Sequence, residues 1–161
     1  MESAKLANRK PHMIAIEIAN QQDALPVDEA RLKSAAMAVI EEESIGDAII
    51  SLAIVDDPTI HDLNRRYLQH DYATDVLSFT LERSEGRLEG EVIVSSETAL
   101  SQSQRWGWAA EDELLLYVIH GMLHLVGEED ATPRQREQMR LREGECLAAF
   151  GLKPHWEETD E

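Results

Sequence analysis

The segment Leu114-Leu-Leu-Tyr-Val-Ile119 is the most strongly apolar run in a chain of 161 residues whose formal net charge is −17. It lies inside a longer stretch, Ala110 to Val126, that opens on Glu111, Asp112 and Glu113 and is closed by Gly127. Three acids in a first turn oppose the positive end of a helix dipole, and a glycine just past the end supplies the left-handed residue that stops a helix. A helix that is apolar on nearly every side has to be enclosed by other elements. It is also too short to cross a bilayer, which takes about 20 apolar residues. The expected architecture is one domain, residues 1–161, wrapped around a central helix.

The flanking segments supply the wrapping. Ile14, Ile16 and Ile18 alternate as in a short strand over Met13–Ile18. A helix is expected from about Val27 to Glu43, with Leu32, Ala36, Val39 and Ile40 on one face, followed by a buried strand over Ile49–Val55. Strand, helix and strand in that order predict a right-handed crossover between parallel strands. Asp57-Pro58 reads as a helix start, with Asp57 as the N-cap and proline first inside. Val76–Phe79 and Glu91–Val94 read as two short strands joined by a polar connection containing Gly86 and Gly90. A helix over Ser96–Trp106 follows, and another opens at Pro133 with Met139, Cys146, Leu147 and Phe150 at helical spacing. The acidic tail from about Lys153 is expected to fray. The predicted fold class is α+β, a small mixed sheet of about four strands with about five helices.

Composition narrows the function. A hydrophobic content of 43% is that of a globular chain rather than a disordered one. The acidity excludes a generic nucleic-acid coat protein, because non-specific phosphate binding needs a basic footprint. Cys146 is the one cysteine, so neither an intrachain disulfide nor a multi-cysteine metal cage can form, which fits a reducing compartment. Met1–His12 carries Lys5, Arg9 and Lys10 without the apolar stretch of a secretory signal. A soluble, cytoplasmic protein with no membrane partner is expected.

The chemistry lies at the end of the central helix, in His120-Gly-Met-Leu-His124-Leu-Val-Gly127-Glu-Glu-Asp130. His120 and His124 are one turn apart, so both imidazoles leave the same face and two ring nitrogens can meet one ion. The chain reversal at Gly127 brings Asp130 back toward them as an oxygen ligand. Two nitrogens, one carboxylate and an open fourth position describe a catalytic zinc site. Each histidine alone also reads as a hydrogen-bonded core residue; the glycine and the carboxylate at fixed offsets favour the metal. His12, His61, His70 and His155 lack such partners and are read as surface or structural. The pattern resembles that of the metzincin peptidases, which place a glutamate general base directly after the first histidine. Here that position is Gly121, which counts against peptide hydrolysis.

The same residues resemble the YbeY family of metal-dependent endoribonucleases. Besides the histidine motif, Leu63-Asn64-x-x-Tyr67, Thr74-Asp-Val-Leu-Ser-Phe79 and Gly90-Glu-Val-Ile-Val-Ser95 match the family's signatures in order over about Asp56 to Phe150. The resemblance implies a small α+β domain and single-strand-specific hydrolysis of RNA. It also implies a role in 3′-end maturation of small-subunit ribosomal RNA and in ribosome quality control, with ribosomal particles or proteins as partners and no DNA substrate. Two positions depart from the family pattern. Asp130 stands where the family has a third histidine, and a carboxylate is a competent ligand for zinc that also suits manganese; nickel stays open. Leu68 stands where the family has an arginine thought to act on the phosphate, with Arg65 and Arg66 nearby.

An acidic chain needs a local basic site to bind RNA. Residues 61–110 are least acidic, at −3, and include Arg65 and Arg66. After the metal loop come Arg134, Arg136, Arg140 and Arg142, of which Arg136 and Arg140 share a helix face. They read either as a phosphate-binding rim beside the ion or as a solvated face paired with Glu137 and Glu143. Trp106 and Trp108 are candidates for base stacking and equally for the core. Weak intrinsic affinity for RNA is expected. Beyond a metal-bound water the sequence names no catalytic group: Glu128 and Glu129 flank the loop, and Asp75 resembles a family position near the cleft. The alternatives are a catalytically weak, metal-stabilised ribosome-assembly factor and, less favoured, a metallopeptidase.

Overall fold

The computed structural model describes residues 13–156. His12 and the end of the acidic tail, 157–161, lie outside them. Strand β1 (Met13–Asn20) leads through helix α1 (Glu29–Glu42) to β2 (Asp47–Val55), and α2 (Asp57–Leu68) leads to the hairpin of β3 (Val76–Ser84) and β4 (Arg87–Ser95). Helices α3 (Ser96–Trp106), α4 (Ala110–Leu125) and α5 (Pro133–Ala148) follow among the described residues. The sheet order is β1-β2-β4-β3, with β1 and β2 parallel, β2 and β4 parallel, and β3 antiparallel to β4. The expected α+β class, four strands and five helices are all present.

Both faces of the sheet are covered. Leu88, Val92 and Val94 of β4 pack with β2, α1, α4 and α5 in the main core, whereas Ile93 turns to the other face against Val55, Ile60 and Leu77 under α2. Helix α4 is the centre of the main core: Leu114, Leu115, Val118, Ile119, Met122 and Leu123 are at most 2% exposed. Two glycines allow this approach. A Cβ on Gly121 would lie 2.5 Å from Val92 Cγ1, and one on Gly90 would lie 2.9 Å from the Leu125 methyls.

Three details differ from expectation. Asp56, not Asp57, caps α2, its Oδ1 accepting from Thr59 N at 2.9 Å. Asp57 instead accepts from Ser95 Oγ and Thr98 Oγ1, at 2.5 and 2.6 Å, and fastens α2 to the start of α3. The connection expected between β3 and β4 is itself strand: the pairing runs to Ser84 opposite Arg87, leaving Gly86 in the turn at φ 71° and Gly90 inside β4. Of the tail expected to fray from about Lys153, the described part packs: Pro154 is buried and His155 stacks on Trp106.

Candidate metal centre

Helix α4 ends in a Schellman arrangement: Gly127 takes φ 108°, Glu128 N donates to Leu123 O at 2.9 Å, and Gly127 N donates to His124 O at 3.0 Å. The reversal sends the next residues back over the helix end, and the Thr132–Gln135 capping box with Pro133 starts α5 at once. The connecting loop is fastened on two sides. Arg142 Nη1 donates to Glu128 Oε1 at 3.0 Å, and Arg136 Nη1 donates to the Asp130 and Ala131 carbonyls at 3.4 and 3.0 Å.

Asp130 is thereby delivered to the histidines. His120 Nε2 and His124 Nε2 are 3.1 Å apart, and Asp130 Oδ2 is 3.4 Å from the first and 3.2 Å from the second. Tetrahedral bonds of about 2.0–2.1 Å place donor atoms about 3.4 Å apart, so this triangle has the size of one face of a zinc-type site. The donor set agrees, because two imidazole nitrogens select against hard cations that want only oxygen. The expected convergence of His120, His124 and Asp130 is present, and these three form a group able to hold a metal ion.

Sequence reasoning missed Glu143. One of the two readings of the arginine face makes it a solvated ion-pair partner; in the structure it is 5% exposed and its Oε1 lies 2.6 Å from His120 Nδ1. A carboxylate on the second nitrogen fixes the ring orientation and leaves Nε2 facing the ligand position. Burial alone would lower the His120 pKa; the Glu143 hydrogen bond and charge, with Asp75 and Asp130, outweigh it and hold the pKa above the ordinary value. The cue for Glu143 was its place, four residues after Met139 and three before Cys146, on the buried stripe of α5.

The centre joins two clefts. His120 and Asp130 line both a groove along the edge strand β3, shared with Leu68, Asp75, His124 and Glu129, and a larger cavity shared with Arg136 and Arg140. Of the four arginines expected to form the RNA contact, the structure brings Arg136 and Arg140 to the centre. Arg65 and Arg66 are spent on Asp62, at 2.8 and 3.3 Å, and line neither cleft. Arg142 is turned into Glu42, Glu43 and Glu128. Asp75 is exposed beside the centre and caps the start of β3 through Val76 N at 2.8 Å. Buried Asn64 fixes the connection carrying Asp75, its Nδ2 donating to Tyr72 O at 3.0 Å. His61 pairs with Asp71, and His70 stacks on Tyr72.

Comparison with known proteins identifies a family. A family model described as endoribonuclease YbeY matches residues 17–151. The chain belongs to the YbeY family. It is 36% identical over 148 residues to the endoribonuclease YbeY of Salinibacter ruber, covering 86% of this chain and 92% of that protein. The Carboxydothermus hydrogenoformans endoribonuclease YbeY is 37% identical over 141 residues, covering 85% and 98%. A Rhodopirellula baltica relative of the same description is 40% identical over 124 residues, and the match spans only 64% of its length. The solution structure of TM1509 from Thermotoga maritima has a TM-score of 0.55 at 26% identity, covering 84% of this chain and 91% of that one. In this YbeY chain His120, His124 and Asp130 are grouped so that they could hold a metal ion. No described helix is long and apolar enough to cross a membrane.

Proposed function

We propose that this protein is a zinc-dependent endoribonuclease that cuts single-stranded RNA in the cytoplasm, in 3′-end maturation of small-subunit ribosomal RNA and in ribosome quality control. The observation that carries the reading is the triangle of His120, His124 and Asp130 donor atoms at the junction of two clefts, in a chain of the YbeY family. Zinc held there supplies a water of pKa near 7 and a Lewis acid for a phosphoryl oxygen. The chain's own groups do the rest. Glu143 orients His120, Arg136 and Arg140 offer positive charge to the phosphates, and the groove along β3 receives an extended strand. The surrounding acidity opposes RNA, so a ribosomal particle or protein supplies the remaining affinity.

The test is cleavage of single-stranded RNA by the purified chain, with metal content measured, with and without chelator, beside a His124→Ala control. Cleavage that needs both the metal and His124 supports the reading; equal cleavage by wild type and variant refutes it. Leu68 favours a second reading. It lines the groove 44% exposed, where the family's arginine would stand, and a leucine gives a phosphate no charge. A metal-stabilised assembly factor would bind one ion and ribosomal particles without cutting. Peptide hydrolysis is disfavoured, because Gly121 packs against Val92 and leaves no room for a glutamate base.

A further inference from the structure

The larger cavity beside the metal centre has a volume of about 530 Å³, inside the range of about 300–1,000 Å³ typical of small-ligand sites. Its inner wall is aromatic. The His155 ring lies parallel to Trp106 at 4.6 Å, and Trp108 and Trp156 meet His155 edge-on at 5.2 and 5.3 Å. Tyr72, 55% exposed, lines the cavity from the α2–β3 connection. The floor is polar. Glu113 and Tyr117, two turns and one turn before His120 on α4, line it while only 3% and 4% exposed. Trp108 Nε1 donates to Glu113 Oε2 at 2.5 Å, and the buried Tyr117 hydroxyl interacts with the same carboxylate without a well-formed hydrogen bond. A buried hydroxyl so poorly satisfied carries a desolvation cost that a ligand relieves.

We propose that this cavity is a nucleobase subsite, in which the base next to the scissile phosphate lies among Tyr72, Trp106 and Trp156 and offers an exocyclic amine to Glu113 and Tyr117. The inference rests on the ribonuclease reading and adds a preference to it. Flat aromatic walls suit a flat ligand, because every base has a face that stacks on an aromatic ring. Glu113 and His120 are seven residues apart, or about 10 Å along the helix, so base and phosphate of one nucleotide reach floor and metal together. A carboxylate accepts hydrogen bonds. Cytosine N4 donates one, whereas uracil presents an acceptor at the same place, so cytidine is preferred over uridine.

The chain has three tryptophans, Trp106, Trp108 and Trp156, all in or against this wall, so their fluorescence reports occupancy directly. The experiment titrates the metal-depleted full chain with CMP and with UMP. CMP is expected to quench at a concentration about tenfold lower than UMP. The isosteric Glu113→Gln, which can donate as well as accept, brings the two nucleotides together. Trp156→Ala weakens both about tenfold. Equal quenching by CMP and UMP in the wild type, absence of quenching, or discrimination unchanged in Glu113→Gln overturns the subsite. No RNA cleavage by the metal-loaded chain with CMP discrimination intact refutes the nuclease reading alone. Cleavage without discrimination refutes the subsite alone.

Discussion

Glu143 Oε1 lies 2.6 Å from His120 Nδ1, so a carboxylate on α5 sets the direction of an imidazole of the candidate metal centre on α4. Replacing it with glutamine keeps the shape and one hydrogen bond but removes the charge that raises the basicity of the ring. Glu143→Gln is expected to lower metal affinity about 10–100-fold while leaving the circular dichroism spectrum unchanged. Competition with a chelator of known affinity measures this. Wild-type affinity in the variant would mean that Glu143 only fills space.

Arg142 sits under the metal loop and gathers Glu128, Glu42 and Glu43 at 3.0, 3.2 and 3.1 Å. Arg142→Met keeps the stem and leaves three carboxylates facing each other. Charge-assisted hydrogen bonds of this kind are each worth about 1.5–3 kcal/mol, and partial exposure puts the expected net loss near the lower figure. Salt restores part of it by screening the like charges. Because Glu128 is two residues from Asp130, metal affinity falls as well. Urea unfolding at low and high salt checks the first effect; a stability loss independent of salt would assign Arg142 a packing role only.

Burial pushes the Glu113 carboxyl above its ordinary value of 4.5, against the hydrogen bond from Trp108 that pulls it down. The folded chain thus keeps this proton to higher pH than the unfolded chain does. Stability therefore declines as pH rises from about 4.5 through the raised folded value, and is recovered as pH falls. Glu113→Gln lacks that proton. The stability of Glu113→Gln relative to wild type, both metal-depleted, is expected to increase as pH rises from 4 to 7 in urea titrations. A difference that stays flat across that range would contradict the burial argument.

Much of this was legible in the sequence because the central helix announces itself. Leu114–Ile119, the acids before it and Gly127 after it fix the element, and His120 and His124 follow from its 3.6-residue period. Asp130 was legible because Gly127 permits only a sharp reversal. Glu143 was not, since a carboxylate among Arg140, Arg142 and Glu145 looks like any solvated helix face until the neighbouring stripe of Met139 and Cys146 is given weight. The pairing of Arg65 and Arg66 with Asp62, one helical turn away, was hidden by the same ambiguity. The outer half of β3, Thr80–Ser84, is exposed throughout, so alternation carried no signal there, whereas the outer half of β4 buries Leu88 and Gly90 between polar residues that masked it.

Gly121 offers a prediction in which two effects oppose one another. In an exposed helix, glycine to alanine is stabilising by about 1 kcal/mol. Here the new Cβ would lie 2.5 Å from Val92 Cγ1, 3.1 Å from Val76 Cγ2 and 3.1 Å from Ser78 Oγ. Val92 is fully buried and β-branched, so its side chain is stiff and its methyl cannot swing aside as the end of a flexible chain would. Overpacking of this kind costs about 1–3 kcal/mol, and contact far inside van der Waals range puts Gly121→Ala at the upper end. Steric strain therefore wins, with an expected net loss of about 2 kcal/mol in urea unfolding. Relief requires α4 to move off β4, which displaces His120 and His124 together relative to Asp130. Metal affinity is expected to fall with stability in this variant. A stabilised Gly121→Ala with full metal affinity would show that helix and sheet pack less closely than the Val92 distance requires.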